Sequence, residues 1–102
     1  MIKETDQYGN IYTINDNTLE TYELTDTRGR AEIPKGITHI GRNVFKKYKS
    51  LTSITIPAGV TKINSYTFHG CEGLTSIDIP ESVTKINSYA FCDCKNLTSI
   101  TI

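Results

Sequence analysis

Apolar residues recur along this chain at seven fixed offsets. With Leu51 as position 1 of a 23-residue period, they fall at position 1 (Leu51, Leu74, Leu97), position 4 (Ile54, Ile77, Ile100) and position 6 (Ile56, Ile79, Ile102). They continue at position 10 (Ile37, Val60, Val83), position 13 (Ile40, Ile63, Ile86), position 18 (Phe45, Phe68, Phe91) and position 21 (Tyr48, Cys71, Cys94). Residues 51–73 and 74–96 are identical at 15 of 23 positions, and a weaker copy occupies 28–50. Such a period predicts a solenoid whose repeats stack as successive rungs, because no single rung buries enough apolar surface to stand alone. Leu-Thr-Ser-Ile-Thr-Ile is β-branched and partly alternating, which predicts a short strand. Proline at position 7 ends it by removing a ladder donor. Val-Thr-Lys-Ile at positions 10–13 predicts a second short extended piece. Ser-Tyr-Ala-Phe at positions 15–18, behind Asn and Ser capping candidates, predicts one helical or 3₁₀ turn.

Three repeats (28–50, 51–73 and 74–96) and a partial fourth (97–102) follow from this register. Residues 1–30 lie outside the clear pattern. There, Gln7-Tyr8-Gly9-Asn10 and Asn15-Asp16-Asn17 are turn clusters flanking Ile11–Ile14 and the alternating Thr18–Leu24. A β-hairpin cap of two or three antiparallel strands over the first rung is the expectation. The last strand motif breaks off at Ile102 with no capping sequence. The expectation is therefore either a piece of a longer array or an end covered by another molecule.

The consensus Leu-x-x-Ile-x-Ile-Pro-x-x-Val-Thr-x-Ile-x-x-x-x-Phe-x-x-Cys resembles the BspA-type leucine-rich repeat of bacterial and protist surface proteins. The resemblance covers residues 28–102. It implies a right-handed leucine-rich-repeat-like solenoid used in adhesion and in binding matrix or host proteins, without a catalytic site or cofactor. The first repeat departs from the pattern, with Arg28 for Leu, Ala31 for Ile and Tyr48 for Cys.

Charge changes this picture little. The 102 residues carry 11 basic and 11 acidic side chains. Residues 1–30 hold three positive and six negative groups, and residues 31–50 hold five positive and one negative. Arg42, Lys46, Lys47 and Lys49 thus form a basic patch around Tyr48. It is either a site for an anionic partner or a solubilising surface, and nothing in it calls for nucleic acid. Apolar runs of two or three residues predict no membrane-spanning helix, and the opening residues do not read as a secretory leader, so none is expected within them.

His69-Gly70-Cys71 and Cys92-Asp93-Cys94 occupy positions 19 to 21 of successive repeats, so stacking sets His69 over Cys92 and Cys71 over Cys94. Those four are ligand types that zinc accepts, but a tetrahedral site needs all of them on one side. Position 21 belongs to the apolar pattern and position 19 does not, so no metal is expected. A Cys71–Cys94 disulfide between rungs is geometrically open. The expectation is nonetheless two reduced, buried thiols and an exposed Cys92. No nucleophile, base and orienting group share one arrangement, and no phosphate loop occurs, so no enzyme is predicted. The threonine columns (Thr52, Thr75, Thr98 among them) suit exposed strand faces.

Tyr66 and Tyr89 at position 16 are candidate partner contacts, since tyrosine supplies large amphipathic area at small entropic cost. Their alternative is to lie flat over the turn. Leu97, Ile100 and Ile102 form a candidate self-association edge through which a homodimer could pair. The leading functional expectation is a non-catalytic protein-interaction or adhesion module, on the cell surface or secreted if part of a longer protein. The rival is a small cytoplasmic inhibitor of phage or mobile-element origin that binds a cellular target.

Overall fold

The computed structural model describes residues 1–101, and of Ser99–Thr101 the backbone alone. Its first three strands, β1 (Ile2–Thr5), β2 (Ile11–Asn15) and β3 (Thr18–Glu23), pair antiparallel in chain order. Asp16 and Asn17 make the tight β2–β3 turn at φ of 49° and 64°. Their short polar side chains tolerate that left-handed backbone. The first rung supplies β4 (Arg30–Glu32) and β5 (His39–Ile40), the second β6 (Ser53–Thr55) and β7 (Lys62–Ile63). The third supplies β8 (Ser76–Asp78) and β9 (Lys85–Ile86), and β10 (Ser99–Thr101) opens the next copy.

β4, β6, β8 and β10 form one parallel sheet in 23-residue register, with Ala31, Ile54, Ile77 and Ile100 side by side. β7 and β9 pair parallel on a second side of the solenoid. Between β5 and β7, Asn64 Nδ2 donates to the Ile40 carbonyl at 2.8 Å. β3 also pairs parallel with β5, placing Leu19 beside Ile40, so the antiparallel strands merge into the repeat stack.

The core runs down the solenoid axis as columns of like residues. Phe45, Phe68 and Phe91 stack with ring centroids 5.2 and 5.3 Å apart. Tyr22 continues that column at 4.6 Å from Phe45, and it lies 23 residues earlier. The period therefore reaches back into residues that look aperiodic. Coverage weakens toward the last rung: Ile40 and Ile63 are buried, whereas Ile86 is 44% exposed.

The open edge of β4 is satisfied by side chains, which an unpaired strand edge requires. Asn10 Nδ2 donates to the Arg30 carbonyl at 2.7 Å, and the Glu32 amide donates to Asp6 at 2.9 Å. Asp6 also accepts from the Tyr8 and Asn10 amides, the Asn10 side chain and the Tyr12 hydroxyl. Burial works against its charge, but these donors outweigh burial and hold the carboxyl below the usual carboxylate range.

The helical turn expected at positions 15–18 does not form, and no helix occurs among the described residues. Position 16 is left-handed in every rung (Asn43, Tyr66 and Tyr89, each at φ 64°), and position 20 is as well (Lys47, Gly70, Asp93). A right-handed helix cannot pass through such residues. The hydrogen bonds supply the second reason. Amides at positions 17, 19 and 21 of the second rung close single turns, from Thr67 to Asn64, His69 to Tyr66 and Cys71 to Phe68. Those at 18 and 20 donate instead to the next rung, from Phe68 to Ala90 at 2.9 Å and Gly70 to Cys92 at 2.8 Å. A helix would consume every amide internally, whereas this arrangement spends alternate ones on stacking.

Candidate functional site

The turn has an inner and an outer face. On the inner face Cys71 Sγ donates to the Phe45 carbonyl at 2.9 Å, and Cys94 Sγ donates to the Phe68 carbonyl at 3.1 Å. Each reaches a carbonyl 26 residues earlier. In the first rung the Tyr48 hydroxyl donates to the Tyr22 carbonyl, again 26 residues back. Tyr48 thus performs the cysteine's task with a longer arm. All three thiols are free. Burial pushes the Cys71 thiol up to about 12, and Cys94 moves in the same direction for the same reason.

The outer face carries the position 16 tyrosines. Tyr66 and Tyr89 stack with centroids 5.5 Å apart and planes 7° from parallel. Lys46 Nζ sits 5.7 Å from the Tyr66 ring centroid, within cation–π range. His69 meets Tyr66 edge to face at 5.6 Å. Tyr89 remains 61% exposed. A bulky residue at positive φ is an outlier for L-amino acids, and such strain tends to gather at functional positions. Asn43, the first-rung counterpart, is a residue type that accepts this backbone readily. Two tyrosines therefore hold an unfavourable backbone where asparagine would have sufficed.

Next to the tyrosines, His69, Cys92 and Asp93 bring an imidazole nitrogen, a thiol sulfur and a carboxylate oxygen all within 4.8 Å of one another. His69 Nε2 lies 3.4 Å from Asp93 Oδ2. The expected stacking of His69 with Cys92 is therefore present, while Cys71 and Cys94 turn inward. Asp93 is not among the four ligand types that the repeat register brings together. Its signal was the adjacency to Cys92, which becomes useful only once the left-handed position 20 is known.

Arg42, Lys46, Lys47 and Lys49 are all exposed. The first three border an open groove of about 420 Å³ against Glu20, Thr21 and Tyr22 of β3. Lys49 lies outside that groove's lining. The position 2 threonines are structural: Thr52, Thr75 and Thr98 hydroxyls donate to carbonyls of the preceding rung at 2.7, 3.2 and 3.4 Å. At the far end Leu97 is half-buried against the core, and β10 pairs with β8. The side chain of Ile100 and all of Ile102 lie outside the described residues. No helix is long and apolar enough to cross a membrane among those residues.

Comparison with known proteins agrees with this geometry. The chain is similar to a leucine-rich cell surface protein from Faecalibacterium prausnitzii A2-165, with 31% identity and a TM-score of 0.72. That match covers 98% of this chain and 30% of the surface protein, so the chain spans under a third of its relative's length. A leucine-rich repeat protein from Bacteroides ovatus ATCC 8483 matches at 21% identity and a TM-score of 0.45, over 97% of this chain and 40% of that one. No curated protein matches the chain. The model of the BspA type leucine-rich repeat region matches residues 12–102 in six copies, beginning inside β2 and so including the strands that lead into the first rung. The chain belongs to the BspA-type leucine-rich repeat family.

Proposed function

We propose that this chain is a non-catalytic protein-interaction module of a cell-surface leucine-rich repeat protein, and that it contacts its partner through the outer face of the rung turns. The observation that carries this reading is the Lys46–Tyr66–Tyr89 column, in which Tyr66 is half-buried, Tyr89 is exposed, and both tyrosines sit at left-handed backbone. Tyrosine is enriched among the anchors of protein interfaces. Tyr89 stacks on Tyr66 with one face and is otherwise mostly exposed. Arg42, Lys46 and Lys47 extend the same surface toward β3 and suit a partner with acidic groups. The repeat family supports the absence of catalysis, and the surface protein from Faecalibacterium supports a place outside the cell.

The test is binding of the purified chain to immobilised extracellular matrix proteins and host-cell surfaces. Saturable binding should fall at least tenfold when Tyr66 and Tyr89 are both changed to alanine. A control on the sheet side, Thr55→Ala, should bind as the parent does. Binding that ignores the tyrosines would sink the reading.

A further inference from the structure

The geometry points to a zinc-class metal site on the outer face, formed by His69, Cys92 and Asp93. Three unlike donors, one nitrogen, one sulfur and one oxygen, already lie within 4.8 Å of one another. Zinc bonds of about 2.0–2.3 Å at tetrahedral angles separate two ligand atoms by about 3.3–3.7 Å. The His69 Nε2 to Asp93 Oδ2 separation of 3.4 Å falls in that range. It is long for a charge-assisted hydrogen bond, which closes to about 2.7–2.9 Å. The sulfur lies within 4.8 Å of both other donors, on a Cys92 that is half-buried and free. Cys92 would bind as the thiolate, its proton passing to solvent.

The rungs hold these donors in place. The Phe68 amide donates to Ala90 and the Gly70 amide donates to Cys92, so His69 is fixed between two inter-rung hydrogen bonds. Its counterpart across the stack is Cys92. The left-handed backbone at Asp93 (φ 62°) puts the third donor beside the other two rather than continuing the chain past them. None of the three is needed for packing, since position 19 is Lys46 and position 20 is Lys47 in the first rung. Cys71 and Cys94, by contrast, are engaged with carbonyls and take no part.

The sequence expectation of no metal rested on a set that included those inner cysteines; Asp93 replaces them. Three protein ligands leave a fourth position for water or for a group from another molecule. His69 Nδ1 is buried without a hydrogen-bond partner among the described residues. A ligating imidazole lacking such an acceptor typically loses about 10–100-fold in affinity. The affinity should therefore fall about 10–100-fold short of a like site whose imidazole has that acceptor.

Cobalt titration of the reduced chain, without thiol reagents in the buffer, tests this directly. One equivalent of Co²⁺ should give a thiolate-to-cobalt charge-transfer band, and Zn²⁺ should displace it. Cys92→Ser should abolish the band. His69→Lys, which installs the residue the first rung already carries, should weaken Zn²⁺ binding at least tenfold with the far-ultraviolet circular dichroism unchanged. Asp93→Asn should weaken it about tenfold, and Cys94→Ala should leave it in place. No charge-transfer band at saturating cobalt, or Zn²⁺ binding that persists undiminished in Cys92→Ser, would overturn the site.

Discussion

The inner and outer faces of the rung turn are built from interleaved residues of one segment, and they follow different rules. Inside, position 18 is Phe45, Phe68 and Phe91, and position 21 always donates to the carbonyl 26 residues earlier. Outside, position 16 is Asn43, Tyr66 and Tyr89, and position 19 is Lys46, His69 and Cys92. The inner residues must fit a column whose neighbours are copies of themselves, so a change in one rung disturbs the next. The outer residues face solvent and each other. Variation from rung to rung is thus free where the fold makes no demand, and chemistry accumulates there.

The strongest way to break the comparison is to cut the inner column. Phe68 is fully buried and stacked on both sides. Phe68→Ala should cost about 3–5 kcal/mol, the range for deleting a buried aromatic ring. Urea denaturation followed by circular dichroism measures it. A cost under about 1 kcal/mol would mean that the stack is not a cooperative element of the fold.

Much of this inner face was legible in the sequence, because burial imposes a period that apolar residues report directly. Even Tyr22 could have been found by counting 23 residues back from Phe45. The outer face was legible in identity but not in geometry. Ser-Tyr-Ala-Phe has helix-compatible propensity, and only hydrogen bonding between rungs overrides it; that is a tertiary effect invisible to local pattern. The same override hid Asp93, since its place beside His69 depends on a left-handed residue that aspartate does not announce.

A gentler cut removes one donor from the inner face without making a cavity. Tyr48→Phe deletes the hydroxyl that serves the Tyr22 carbonyl. The expected cost is about 1–2 kcal/mol, that of a carbonyl left without its partner. If Tyr48→Phe is neutral, the shared role of Tyr48 with Cys71 and Cys94 fails.

The two faces should also separate by thiol chemistry. Burial pushes Cys71 up to about 12, while a thiol in the unfolded chain titrates near about 8.5. The thiolate is the reactive form, so at pH 8 an aromatic disulfide reagent should label Cys92 at least about a hundredfold faster than Cys71. The stability consequence has a definite sign. As pH rises the unfolded state loses its thiol proton first, so the contribution of Cys71 is complete below about 8.5 and is lost as pH approaches about 12. Cys71→Ala should flatten that alkaline decline in the unfolding free energy. Equal labelling of Cys71 and Cys92 in the native protein would erase the distinction between the faces.

The smallest expected effect on stability is the most informative about function. Tyr89→Asn gives the third rung the residue that the first rung carries at the same left-handed position. It forfeits the stack on Tyr66, a contact of about 0.5–1.5 kcal/mol. It also relieves part of the strain of a bulky side chain at positive φ, about 1 kcal/mol, since asparagine still occupies the left-handed region. These opposing terms leave the variant within about 1 kcal/mol of the parent, on either side of zero. Partner binding should nevertheless fall, because the exposed ring is the part of the column offered to solvent. Denaturation and binding measured on the same preparation make the comparison. A loss above about 2 kcal/mol would reassign Tyr89 to the scaffold, and the outer face would lose its claim to be free of the fold's demands.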